Sequence, residues 1–281
     1  VDRLNIKAES PYQQASLENL LNTGFPTAKV EAWKYTRIDA LLESDFKIVD
    51  NCHAEVSLID GTYSLVFVNG KFNSQLSSII DFAGVEIKSS SEAEGALLLQ
   101  SSSLSADAFA NLNGALLSDG AYIKVAKNTQ LDKPLHLINV ATEDMAMCNI
   151  RHVIDVGAGA EIEFLEDYIT QGDITVFSNA VTDVRIERNA TVRHIKNQSQ
   201  NSNSYHIGAI NISQDRDSSY ISTVLACGSK LSRNFLSTQL NDENATVELK
   251  GLYAVKGSQL VDNHTEINHN SARTYSDQLY K

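Results

Sequence analysis

The pattern of apolar and polar positions changes near residue 127. Before that point helical and strand periods are mixed. In "SPYQQASLENLLNTGFP", Ala15, Leu17, Leu20 and Leu21 recur at helical spacing, behind Ser10 as N-cap and Pro11 at the first helical position. Gly24 and Pro26 end that helix. "GTYSLVFVNGKFNS" reads as a β-hairpin, because two β-rich runs flank the turn dipeptide Asn69-Gly70. A second helical zone is expected from about Glu92 to Leu117, with Ser105 capping "ADAFANLNGALL".

After residue 127 the period shortens to two. "EIEFLEDY" sets Ile162 and Phe164 on one strand face, and Glu161, Glu163 and Leu165 on the other. "TVRHI" and "TVELK" repeat this phase with Val192, and with Val247 and Leu249. A four-residue form recurs with them: a turn former, a small residue, a polar residue, then an apolar or aromatic one. It begins at Asn128, Gly159, Asn189, Asp217 and Asn244, at intervals of 31, 30, 28 and 27. A second series agrees: "CGSKL" at Cys227 and "KGSQL" at Lys256 are 29 apart, and Tyr253 and Tyr280 are 27 apart.

A repeat of strands and turns means that each unit is one coil stacked on the next, with parallel pairing about 4.8 Å apart. The expected fold is mainly β: a right-handed parallel β-helix with a coil period near 28 and an apolar interior. A small N-terminal α/β segment over residues 1–126 precedes a β-helix over 127–281. The drifting period disfavours the left-handed hexapeptide type, and a β-sandwich leaves the period unexplained. An uncapped solenoid end exposes strand edges, so further residues or a partner are expected beyond Lys281.

Charge and cysteines narrow the function. The net charge is −12, with 35 acidic against 23 basic side chains, which disfavours nucleic acid. The apolar runs are short, as at Ala96–Leu99, so neither a membrane span nor a signal peptide is expected. Three scattered cysteines, Cys52, Cys148 and Cys227, form no C-x-x-C pair and suggest a reducing cytoplasm.

Candidate chemistry is sparse. "DNHTEINH" puts Asp262, His264 and Glu266 at alternate positions on one strand face, spaced about 7 Å apart and able to converge on a metal. The competing reading is a solvated strand with Asp262 stacked near Arg233 of the preceding coil. Asp155, Asp183, Arg185 and Arg216 are the acid–base candidates of a polysaccharide-cleaving β-helix, but no carboxylate pair recurs from coil to coil. No nucleophile elbow or phosphate loop occurs. "VGAGAE" at residues 156–161 reads as a turn, and Cys227 sits at another.

The only tryptophan lies in "KVEAWKYTRIDALL". Trp33, Lys34, Tyr35 and Thr36 resemble the W-K-Y-T segment of the SufB/SufD family of iron–sulfur cluster assembly scaffold proteins. "LVFVNGKF", "KPLHLINV", "HVIDVGAGAEIEFLEDY" and "DNHTEINHNSARTYSDQLYK" follow in the same order. The W-K-Y-T segment and the lack of cysteine motifs favour the SufD branch over SufB. The resemblance implies a non-enzymatic cytoplasmic scaffold that pairs with a SufB-like paralogue. A C-terminal region beyond Lys281 would engage a SufC-like ATPase. No cofactor is implied for this chain alone. A cluster would reside transiently on the complex, a flavin on that complex is left open, and so is a homodimer of the isolated chain. The alternatives are a β-helix enzyme acting on polysaccharide and a metal-delivery protein using Asp262, His264 and Glu266. In the stretch itself, Trp33 and Tyr35 are expected to pack the N-terminal segment together or against a partner, with Lys34 and Arg37 at the solvated rim.

Overall fold

The computed structural model describes residues 6–51, 53–78, 82–90 and 107–281. Helix α1 spans Pro11–Thr23 behind the expected caps. Ser10 accepts from the Gln13 amide, the Gln13 side chain returns the bond, and the Gly24 amide closes on the Leu20 carbonyl at 2.8 Å. Its buried face is Tyr12, Ser16 and Leu20, whereas Leu21 is exposed. The apolar stripe read from the sequence was thus rotated, because Tyr12 fills the inner position one turn earlier. A 3₁₀ turn at Glu31–Trp33 and a short helix α2 (Asp39–Glu43) follow. Helix α3 spans Ala108–Ala115. Its cap is Asp107, which accepts from the Phe109 and Ala110 amides, not Ser105. The expected helical zone at residues 92–106 lies outside the described residues.

Strands β1 (Tyr63–Val68) and β2 (Lys71–Phe72) form the hairpin, with both turn residues Asn69 and Gly70 at positive φ. β3 (Val85–Ser89) and β4 (Ala121–Val125) pair antiparallel. The chain then winds about five turns. One sheet holds β5 (Leu135–Ala141), β7 (Glu161–Thr170), β9 (Thr191–Gln198), β11 (Ser219–Ala226), β13 (Thr246–Tyr253) and β15 (Tyr275–Tyr280). The other holds β6 (Met147–Val156), β8 (Phe177–Ile186), β10 (Tyr205–Gln214), β12 (Leu231–Leu240) and β14 (Leu260–His269). Parallel pairing reaches further back than residue 127, because β1 joins β5 and β4 joins β6 in parallel.

The repeat landmarks are the corners of the coils. Asn128, Gly159, Asn189, Asp217, Asn244 and Arg273 all have φ between 56° and 70°. Left-handed backbone suits Gly and Asn, which explains the turn former at that position. The next residue points inward at the bend. Ala160, Ala190, Ser218 and Ala245 are fully buried there, and larger side chains would push the sheets apart. Corner amides also bond from coil to coil, as Asn189 N–H to the Arg216 carbonyl at 3.0 Å. Leu231 pairs with Leu260, matching the 29-residue "CGSKL" interval. The Tyr253–Tyr280 interval does not mark the period, because Tyr280 pairs with Gly251; its ring occupies the space a side chain at 251 would need.

Two apolar layers hold this object. One lies inside the solenoid around Ile154, Ile162, Phe164, Val184, Val192 and Val247. The other fixes the N-terminal segment on the outer face of the β6–β14 sheet, through Leu20, Trp33, Leu41, Phe46, Phe109 and Phe177.

We expect Asn189→Ala to destabilise the fold by about 1 kcal/mol, and Asn189→Gly to be neutral within a few tenths. Urea midpoints measure both, and equal tolerance of Ala and Gly would contradict a left-handed corner.

Candidate functional site

The W-K-Y-T segment clasps the outer face of the solenoid. Trp33 is buried, stacks on Phe109 at 5.4 Å, and carries the Arg233 guanidinium 3.9 Å above its ring. Arg233 pairs with Asp262 of the next coil, whose carboxylate also accepts the Thr36 hydroxyl. Thus β12, β14 and the 3₁₀ turn meet at one carboxylate. Tyr35 is 78% exposed, which leaves of its two expected roles only contact with a partner, and has the Lys34 ammonium beside its ring. Local geometry decides this: the turn aims residues 33 and 36 inward and leaves 34, 35 and 37 outward. Tyr35 and Thr36 form one wall of an open groove of about 590 Å³, and Tyr253, Asn263 and Tyr280 are on its other side.

The three metal candidates share a strand but not a site. Asp262 is committed to Arg233 and Thr36. His264 stacks on Phe235 at 5.5 Å, and Glu266 accepts from Asn268 at 2.7 Å. Among the described residues, no group of three His, Cys, Asp or Glu side chains is placed to hold a metal ion. The acid–base candidates are likewise inter-coil pairs. Arg185 donates twice to Asp155, at 2.7 and 3.1 Å, and buried Arg151 pairs with Asp183 at 2.6 Å. Arg216 bonds Glu243. "VGAGAE" is a corner, with Gly159 at φ 70°, and Cys227 is exposed just after β11.

The interior is where the sequence reading was incomplete. It was expected to be apolar, yet a lane of buried polar side chains runs through it. Inward positions carry Asn139 on β5, His152 on β6, Glu166 and Tyr168 on β7, and Thr182 on β8. His194, Lys196 and Gln198 on β9, His206 on β10 and Asn234 on β12 continue the lane. Extending the alternation of "TVRHI" three residues further, to "TVRHIKNQ", places His194, Lys196 and Gln198 inside with Val192. That signal was present in the sequence.

Glu166 accepts from Thr182 at 2.8 Å and from Tyr168, and lies 3.0 Å from His194 Nε2. Burial alone would raise its carboxyl. The adjacent His194, with the Lys196 charge farther off, holds it well below the usual range. His194 Nδ1 shares a 2.7 Å hydrogen bond with Tyr220. The Lys196 ammonium donates to Asn234 Oδ1 at 3.2 Å and lies 5.1 Å from the Tyr168 ring centre. Burial pulls it down to about 8, against the opposing field of Glu166. His152 accepts the Ala121 amide at Nδ1 (3.2 Å), so its Nε2 faces Asn139 Oδ1 (3.3 Å) as a donor. Burial lowers this imidazole to about 4. His206 faces Gln200 Oε1 through Nδ1 at 3.0 Å, and burial and the Lys196 charge push it well below its ordinary value.

Residues 137–281 match the family model described as "SUF system FeS cluster assembly, SufBD core domain", and residues 10–137 match "SufBD protein N-terminal region". The chain belongs to the SufBD family. It is 30% identical to the iron-sulfur cluster assembly protein SufD of Escherichia coli, over 97% of this chain and 66% of that protein. It is 27% identical to an iron-sulfur cluster assembly SufBD family protein of Synechocystis, over 96% of this chain and 65% of the other. For the chloroplastic protein ABCI7 of Arabidopsis thaliana the identity is 23%, over 96% and 61%. The chain therefore spans about two thirds of the length of these relatives. The SufBD boundary at 137 falls inside β5, so the two family regions share one continuous sheet. Among the described residues no helix is long and apolar enough to cross a membrane.

Two outcomes are expected for this SufBD chain. Trp33→Ala should cost about 3–5 kcal/mol. A double-mutant cycle of Trp33→Ala with Arg233→Met should give a coupling of about 1–2 kcal/mol, and a coupling near zero would mean the clasp is packing alone. Acid should destabilise the fold early. His152 and His206 are neutral when folded and bind protons when unfolded, so stability falls as pH drops below 6.5. The loss at His152 continues to about pH 4 and totals about 3 kcal/mol. Glu166 adds a further loss below about pH 4.5. Urea midpoints at pH 7 and pH 4.5 test the histidine part, which should shrink in His152→Asn; a flat profile would exclude neutral buried imidazoles.

Proposed function

We propose that this chain is a non-enzymatic cytoplasmic scaffold subunit of SUF iron–sulfur cluster assembly. It pairs with a SufB-like paralogue and works with a SufC-like ATPase. The observation that carries this reading is the ordered match of both SufBD regions over residues 10–281. The geometry is compatible with it. Parallel coils stack into one continuous solenoid, and the acid–base candidates Asp155, Asp183, Arg185 and Arg216 are each held in an ion pair. The cluster is then cargo held by the assembled complex rather than a resident group of this chain. A flavin, if present, would likewise be carried by the complex.

Co-expression with a SufB-like paralogue and a SufC-like ATPase from the same genome should give a three-component complex that survives gel filtration. Migration of this protein alone, under conditions where the other two still associate, would refute the reading. Elemental analysis of the isolated protein should find no stoichiometric metal, and His264→Ala should leave that unchanged. One tightly bound ion per chain, lost in His264→Ala, would instead support metal delivery.

A further inference from the structure

Lys196, Asn234 and His206 converge at one interior point. A Cβ on Gly208 would lie 2.5 Å from Lys196 Nζ, 2.9 Å from His206 Nε2 and 3.6 Å from Asn234 Oδ1. Any side chain at 208 would displace them, so glycine keeps the three polar groups together. All three belong to fully or nearly fully buried residues. The Lys196 amine contacts the Asn234 carboxamide at 3.2 Å, across the two sheets and 38 residues of chain. No carboxylate forms an ion pair with Lys196 within 4.0 Å among the described residues; its countercharge, Glu166, acts at longer range. His206 Nε2 has no hydrogen-bond partner among them either. Its Nδ1 faces the Gln200 carbonyl oxygen, which leaves the Nε2 lone pair as an available base.

We propose that Lys196 and Asn234 condense to an intramolecular isopeptide bond that staples the two sheets from inside. The free amine attacks Asn234 Cγ, and the carbonyl electron pair moves onto Oδ1. His206 Nε2 takes one proton from the attacking nitrogen. As the carbonyl re-forms, the Cγ–Nδ2 bond breaks and the imidazolium returns that proton to the departing nitrogen. The products are a secondary amide and one ammonia molecule, and no oxidant or external reagent enters the balance. Asn234 Nδ2, the leaving nitrogen, is oriented by Asn263 Oδ1 at 3.2 Å. Burial brings the amine to about 8, so a free-base fraction exists at neutral pH. The interior excludes bulk water that would compete as nucleophile, and condensation removes a buried charge whose retention is costly.

Mass spectrometry of the purified full-length protein tests this directly. The intact mass should be lower by one ammonia, and trypsin should not cut after Lys196. A branched peptide should join Lys196 to Asn234. Lys196→Arg and Asn234→Ala should each restore the full calculated mass. His206→Gln should slow cross-linking of freshly made protein by about a hundredfold. A wild-type protein at full mass, cleaved after Lys196 and yielding an unmodified Asn234 peptide, overturns the proposal even if every variant misfolds. The measurement needs no partner, so its outcome is independent of the scaffold reading.

Discussion

The structure depends on one constraint: every coil must return to the same corner so that its backbone can bond the coil before it. In a parallel solenoid the hydrogen bonds run between coils, so a coil that closes out of register loses a whole row of them. The corner meets this requirement with a single left-handed residue followed by a small buried one. Asn128, Gly159, Asn189, Asp217, Asn244 and Arg273 hold that conformation in turn. Coil length varies by a few residues because the opposite, less regular connections absorb the difference. Cross-coil pairs such as Arg185–Asp155 and Arg233–Asp262 follow from the same stacking.

A stack of this kind leaves two broad sheet faces to be managed. The N-terminal segment covers part of one. Its helices supply Leu20, Phe109 and Leu112, and the turn at Trp33 fastens the cover to β12 and β14. Trp33 is therefore structural, and its indole face is matched to a guanidinium that already has a carboxylate partner on the neighbouring coil. Exposed Tyr35 and Lys34 are then the part of the segment left available to other molecules.

The polar lane of the interior works against stability. Solenoid interiors gain most from apolar side chains, whereas Glu166 is an ion withdrawn from water. Hydrogen bonds from Thr182 and Tyr168 recover part of that cost. Two imidazoles, His152 and His206, avoid it by staying neutral. A solenoid with such a lane is more acid-sensitive than its apolar layer alone would make it.

Much of the fold was legible in the sequence because solenoid physics is local. The period-two alternation, the corner residues and the 28-residue interval each reflect short-range backbone demands, and the stacked Arg233–Asp262 pair followed from the interval. The cap of α1 was legible for the same reason, and so was the Asn69-Gly70 turn. What failed was whatever depended on contacts distant in sequence. Leu21 lies outside because Tyr12 and Ser16 face α3. The lane of Glu166, Lys196, His206 and Asn234 is not evident from the sequence because its members are spread over four strands of two sheets. Alternation determines which residues point inward, but only the folding of two sheets onto each other decides which of them meet.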